Sequence, residues 1–218
     1  MRHGPRQPII SATLCVRQTL SRCRKGFAVG IANQLTLVRL GLSPVFVVAF
    51  YFGGLAGHLA ALIIAGIFEL TDIFDGYLAR TMRETSDFGK LLDPMADSVS
   101  RFSVFLCLLW GGYAHLWVVA LIFYRDSLVA YMRVASAKAG VVLAARLSGK
   151  VKAIVQGIII IVILALIVGS HFIRELPVER TREVARWLML LVAAVTAWSG
   201  FDYARASVPI IRNLMHKS

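Results

Sequence analysis

Four of the five aspartates in DIFDGYLARTMRETSDFGKLLDPMAD, residues 72 to 97, are spaced for shared work. Asp72 and Asp75 are three residues apart and Asp93 and Asp97 four apart, so on helices each pair lies on one face. The first pair closes a long apolar run, LAALIIAGIFEL. Ionised carboxylates left bare in hydrocarbon cost about 2.5–3.5 kcal/mol each on insertion scales. Their mutual repulsion would also drive some of them to bind protons. Two divalent cations remove both problems, and ligation by oxygen alone suits Mg²⁺ or Mn²⁺ far better than Zn²⁺.

The neighbours of the aspartates indicate what such metals would serve. Gly76 and Ala79 leave room for a flat or bulky group to approach the backbone beside Asp72 and Asp75, and Gly89 does so on the facing segment. Arg80 adds a guanidinium able to grip phosphate with two hydrogen bonds. Two metals and an arginine beside a gap form a clamp for a pyrophosphate. Glu69, one turn before Asp72, is either a further outer ligand or a hydrogen-bonded bystander.

The elements that carry these residues are membrane helices. The 218-residue chain is 58% hydrophobic and 17% charged, with a mean hydropathy of +0.71, which excludes an ordinary soluble domain. Apolar stretches of spanning length fall near 35 to 53, 57 to 78, 91 to 111, 115 to 135, 151 to 170 and 185 to 208. The connections follow the positive-inside rule. Arg80, Arg83 and Lys90 lie in one connection, and Arg133, Lys138, Arg146, Lys150 and Lys152 in and around another, while GGLAGH and GGYAH carry no Lys or Arg. Both termini and the aspartates are therefore expected on the cytoplasmic side. The reading is an all-α polytopic membrane protein of six transmembrane helices, organised as a basic juxtamembrane segment, 1–32, and a six-helix domain, 33–218.

The first segment carries Arg2, Arg6, Arg17, Arg22, Arg24 and Lys25 and no acid. Ile9, Val16, Leu20, Cys23 and Phe27 recur at helical spacing within it, as in an amphipathic interfacial helix. An organellar targeting peptide has the same composition, so the membrane is either the bacterial cytoplasmic membrane or an organellar one. The net charge of +12 gathers on one membrane face, where anionic lipids are the nearer partner. No basic patch interleaves with stacking aromatics, so no nucleic acid is expected. Cys15, Cys23 and Cys107 form no CxxC pair and read as small apolar residues. His58, His115 and His171 fall at expected outer ends, and Trp110, Tyr113 and Trp117 bracket an outer turn as an aromatic belt.

The pattern D-x2-D-G-x2-A-R-x8-G-x3-D-x3-D is the signature of the CDP-alcohol phosphotransferases, and Asp72, Asp75, Gly76, Ala79, Arg80, Gly89, Asp93 and Asp97 match it without a gap. The six-span layout resembles the same family over roughly residues 33 to 210. The resemblance implies transfer of a phosphatidyl or similar group from a CDP-linked donor, CDP-diacylglycerol, to an alcohol, with release of CMP. It further implies that Asp72, Asp75, Asp93 and Asp97 hold two metal ions, that Gly76, Ala79, Arg80 and Gly89 line the CDP side, and that the enzyme is a homodimer. Asp97, expected at the deep edge of the cluster, would also take the proton of the attacking hydroxyl.

Further stretches bear on the acceptor. NQLTLVR, residues 33–39, resembles the NxLTxxR opening of phosphatidylglycerophosphate synthases and sets Asn33, Thr36 and Arg39 on one face. YRDSLVAYMR and SGKVKAIVQ resemble the R-E/D and GKxK segments of those synthases and bring Arg125, Arg133, Lys150 and Lys152 toward the cytoplasmic face. These cations would hold the phosphate of glycerol 3-phosphate; each alone also fits plain positive-inside anchoring. Those synthases commonly continue D-P-x-A-D-K, whereas here Ser98 follows Asp97, with Arg101 one turn on as a replacement charge. Phosphatidylinositol or phosphatidylinositol-phosphate synthesis is the alternative within the family. Divalent-cation transport and membrane prenyl transfer are the alternatives outside it, and neither accounts for the spaced Gly, Ala, Arg and Gly.

Overall fold

Among the described residues the apolar stretches form six helices, with no strand. They are α1 (Ile31–Phe52), α2 (Gly54–Thr81), α3 (Asp87–Trp110), α4 (Leu116–Lys138), α5 (Leu147–Gly169) and α6 (Val178–Met215). The computed structural model describes residues 31–81, 87–138, 146–173 and 177–215, with side chains at 36–72, 95–134, 136, 146–173 and 177–206. The expected interfacial helix before residue 31 lies outside the described residues. Among the described residues, three of the six expected spans are long and apolar enough to cross a membrane: Gly54–Asp72, Leu147–Gly169 and Val178–Ala206. Thr36–Phe52 is a shorter apolar stretch.

The packing is inverted relative to a soluble bundle. Leu59, Ile63, Ile67 and Leu70 recur along one exposed stripe of α2, and Val45, Val48, Leu191 and Trp198 are likewise exposed. Buried positions include Thr36, Arg39, Ser43, Ser100, Ser148, Lys152, Gln156, Thr196 and Ser199. Polar groups turn inward because hydrocarbon offers them no partner. The apolar interior joins Phe46 and Phe50 of α1, Phe105 and Leu108 of α3, Ile163 and Leu164 of α5, and Met189 and Val192 of α6. Helix α1 packs chiefly on α2 and α3, α5 on α6 and α2, and α6 also on α4.

One end of the bundle is closed by tight turns and side-chain ties. Gly53 and Gly54 have φ of 63° and 66°, a left-handed conformation that glycine adopts at little cost, so α1 reverses into α2 across a single residue. Gly57 then sits where a β-carbon would lie 2.5 Å from the Ala49 carbonyl oxygen. His58 and His171 share a hydrogen bond at 2.9 Å, tying the start of α2 to the turn after α5. Arg182 Nε donates to the Gly111 carbonyl at 3.2 Å and Arg186 Nε to that of Gly112 at 3.0 Å, tying α6 to the α3–α4 turn. Trp110 and Trp117 are exposed at this end, but Tyr113 is buried beneath the Arg182 guanidinium, 5.9 Å from its ring centre. It is a packing residue there, not part of an exposed aromatic belt. Cys107 is a buried free thiol.

Candidate functional site

The opposite end gathers the charged side chains. Asp72 lies at the close of the apolar stretch of α2 and Asp97 three turns into α3, and both face the buried Arg39 of α1. Arg39 Nη1 is 2.6 Å from Asp72 Oδ1 and 3.8 Å from Asp97 Oδ1. Arg101, one turn beyond Asp97, donates from Nε to Asp97 Oδ1 at 2.8 Å, from Nη2 to Asp72 Oδ2, and from Nη1 to the Ala153 carbonyl of α5 at 3.2 Å. Two guanidiniums thus bridge two carboxylates contributed by two helices.

The local sequence supports this placement. Pro44 inside α1 leaves the Leu40 carbonyl without its helical N–H donor, and one residue earlier the Ser43 Oγ donates to the Arg39 carbonyl at 2.9 Å. Thr71 Oγ1 donates back to Ile67 O at 2.6 Å, so its hydroxyl needs no partner outside α2. Glu69 rests against α5 at Gly157, within electrostatic reach of Arg101, Asp72, Asp97 and Arg39. Exposure is uneven across the cluster. The side chains of Arg39 and Arg101 are 5% and 12% exposed, that of Asp72 28%, and that of Asp97 41%. Asp97, expected at the deep edge, is the more open of the two carboxylates.

A second polar cluster adjoins the first through Arg101 and Ala153. Lys152 Nζ, on α5, lies 2.6 Å from both carboxylate oxygens of Asp126 on α4. Arg125 donates to Asp126 Oδ1 at 3.1 Å and to Ser199 Oγ of α6 at 2.5 Å. Arg133 donates to the Tyr203 hydroxyl at 2.8 Å. Arg146 and Ser148 both bond Asp202 Oδ2, at 2.7 and 2.5 Å. Gln156 Nε2 reaches Thr196 Oγ1 at 3.3 Å.

Of the residues singled out in the sequence, the structure brings Arg39, Asp72 and Asp97 together and places Thr36, buried, on the same face of α1 as Arg39. It puts Arg125 and Lys152 in the adjoining cluster and Arg133 at its edge, while Lys150 is exposed. Asp75, Gly76, Ala79 and Arg80 fall on the last turns of α2 and Gly89 and Asp93 on the first turns of α3, and Asn33 on the first turn of α1. The side chains of these seven lie outside the described residues. Arg39, expected on one face with Asn33 and Thr36, is ion-paired to Asp72 and Asp97. Arg101, expected as a replacement charge one turn after Asp97, is the hub of the cluster. Ser199, Asp202 and Tyr203 also belong to the second cluster, and their signal in the sequence is three polar residues at steps of three and one within an apolar helix.

The described donors at the first cluster are carboxylate oxygens, the donor set of a hard divalent cation such as Mg²⁺ or Mn²⁺. Among the described residues, no three such side chains converge into a cage of their own.

The sequence matches known proteins over most of its length. The sequence model of the CDP-alcohol phosphatidyltransferase family matches residues 29–198. A CDP-diacylglycerol--glycerol-3-phosphate 3-phosphatidyltransferase of Bacillus subtilis is 32% identical over 188 residues, covering 79% of this chain and 93% of its own. A probable phosphatidylglycerophosphate synthase of Mycobacterium tuberculosis is 36% identical over 182 residues, covering 81% of each chain. A relative from Yersinia pestis, bearing the same name as the Bacillus protein, is 34% identical over 183 residues, with 81% of this chain and 94% of its own covered.

Proposed function

Because the chain belongs to the CDP-alcohol phosphatidyltransferase family, we propose that it moves the phosphatidyl group of CDP-diacylglycerol to a hydroxyl of glycerol 3-phosphate, giving phosphatidylglycerophosphate and CMP. The observation that carries this reading is the junction at Arg101. On one side of it lie Asp72 and Asp97, and on the other, through Ala153, lie Lys152 and Arg125. A carboxylate site for a diphosphate and a cationic site for a phosphorylated alcohol thereby share a wall. The names of the Bacillus and Yersinia relatives support the same acceptor.

In this reading Asp72, Asp75, Asp93 and Asp97 would hold two Mg²⁺ or Mn²⁺ ions, whose chemistry when bound is to neutralise the diphosphate and the departing CMP. Gly76, Ala79 and Gly89 let the nucleotide lie against bare backbone, and Arg80 grips its phosphates. Asp97 takes the proton of the acceptor hydroxyl as that oxygen attacks the phosphorus bearing diacylglycerol. The bond from that phosphorus to the CMP oxygen breaks, and its electron pair leaves with CMP. Arg101, bonded to Asp97 through Nε, fixes the direction in which the base points. Asn33, Thr36 and Arg39 line the same pocket from α1.

An integral membrane protein with a phosphorylated, water-soluble acceptor needs its site at a membrane surface. All six helices are taken to cross, with both termini and the site on the cytoplasmic side, the segment 1–32 lying on that surface, and two copies forming a homodimer. The decisive assay offers purified protein CDP-diacylglycerol with radiolabelled glycerol 3-phosphate, inositol, inositol phosphate or serine in parallel. Label from glycerol 3-phosphate alone is expected in the organic phase. Label from inositol or inositol phosphate instead would assign the chain to phosphatidylinositol chemistry, and pyrophosphate in place of CMP would point to prenyl transfer.

A further inference from the structure

Two arginines of the second cluster share one aromatic ring. The Tyr203 ring lies 5.1 Å from the guanidinium carbon of Arg125 and 5.6 Å from that of Arg133. Its hydroxyl accepts from Arg133 Nη2 at 2.8 Å and from the Arg146 backbone N–H at 3.2 Å. Tyr203 is 4% exposed, and Gly149 of α5 presses on it so closely that a β-carbon there would lie 3.0 Å from the hydroxyl and 3.2 Å from Cε2. The ring is therefore fixed by α4, α5 and α6 together.

Like-charged guanidiniums repel unless something between them is attractive to both, and an aromatic face is. The phenol oxygen adds an acceptor that orients one of the two forks. Around this ring four cations, Arg125, Arg133, Arg146 and Lys152, meet two carboxylates, Asp126 and Asp202. The surplus of two positive charges among these residues suits a phosphate dianion, which guanidiniums bind through paired hydrogen bonds. Arg133 is exposed and so can be reached by a ligand from water.

We infer that Tyr203 is a positioning residue for the acceptor: it holds Arg125 and Arg133 in one place to receive the phosphate of a phosphorylated alcohol. This rests on the reading of the acceptor given above. In this role Tyr203 acts through Arg125 and Arg133, so its effect belongs in acceptor affinity and not in the chemical step.

The test is steady-state kinetics of Tyr203→Phe in detergent, varying each substrate separately. The KM for glycerol 3-phosphate should rise about tenfold, as expected for loss of one hydrogen bond to a charged group. The KM for CDP-diacylglycerol and kcat should each stay within about twofold. Gly149→Ala, which displaces the hydroxyl without removing a polar group, should move the same constant in the same direction. Tyr203→Leu should do so more strongly, and if that variant does not fold, the Phe variant decides alone. An unchanged KM for glycerol 3-phosphate in Tyr203→Phe overturns the inference, as does an equal rise in both KM values. If wild-type protein turns over a different phosphorylated alcohol, glycerol 3-phosphate is wrong as acceptor and the same split, measured for that alcohol, judges Tyr203. If wild type takes only an unphosphorylated alcohol, the role of Tyr203 is refuted as well.

Discussion

The carboxylate of Glu69 rests on the bare backbone of Gly157: a β-carbon at that glycine would stand 2.2 Å from Glu69 Oε2. Helix α5 thereby sets how far Glu69 can retreat from Asp72, one turn along α2. Gly157→Ala should push the carboxylate into the cluster, lowering kcat by about tenfold or more and depressing Tm. Glu69→Ala removes the obstruction, so the double variant should recover part of both losses. Pairs in contact show interaction energies of roughly 0.5–3 kcal/mol, and a double-mutant cycle on Tm and kcat reads them directly. Simple additivity of the two changes would show that the contact carries no energy.

Arg101 supplies one positive charge to two carboxylates and a third hydrogen bond to α5. Arg101→Gln should cut kcat/KM by about a hundredfold, which is about 2.7 kcal/mol of transition-state stabilisation, and should also lower Tm, because two carboxylates lose a hydrogen-bonded partner. It should also lower the Mg²⁺ concentration needed for half-maximal rate, because the carboxylates lose a cation that competes with the metal. Arg101→Lys restores the charge without the planar fork and should return the metal dependence toward wild type while leaving the rate impaired. A Mg²⁺ requirement unaffected by Arg101→Gln would separate Arg101 from the metal site.

Asp93→Asn is expected to abolish turnover while the protein elutes and melts like wild type. Chelation by EDTA should stop the wild-type enzyme reversibly, with activity returning on addition of Mg²⁺ or Mn²⁺. Turnover by Asp93→Asn at ordinary Mg²⁺ would remove this aspartate from the metal-holding set.

Arg80 is proposed to grip the nucleotide phosphates with both arms of its guanidinium. Arg80→Lys should therefore raise the KM for CDP-diacylglycerol about tenfold or more, because an ammonium is a point charge that cannot bond two oxygens in a plane. Substrate titration in mixed micelles measures it. Wild-type kinetics in this variant would place the phosphate grip on another residue.

Much of the architecture was legible because hydrophobic run length and the alternation of Lys and Arg both report on helices, and all six expected stretches coincide with α1 to α6. Asp72 and Asp97 were legible for a different reason: an ionisable group at the end of an apolar run has few uses other than function. What stayed hidden depends on distance across the bundle. Arg39 lies 33 residues before Asp72, and nothing local says that its guanidinium turns to that carboxylate. Arg101 reads as a positive charge one turn after Asp97, whereas its grip on Asp72 and Ala153 requires three helices to meet. Tyr113 illustrates the opposite error, since an aromatic at a turn matches an interfacial belt in sequence, yet Arg182 covers it. His58 and His171, scattered in the chain, meet in space because the start of α2 and the close of α5 lie at the same end of the bundle.

The exposed stripe of Leu59, Ile63, Ile67 and Leu70 leaves the bundle without a native surface in plain water. Its folded state is completed by whatever amphiphile coats that stripe, so every melting point or rate obtained for it describes a particle made of chain and coat together. Changing the alkyl length of the detergent amounts to changing the outermost layer of the protein, and variants should be ranked only within one such coat.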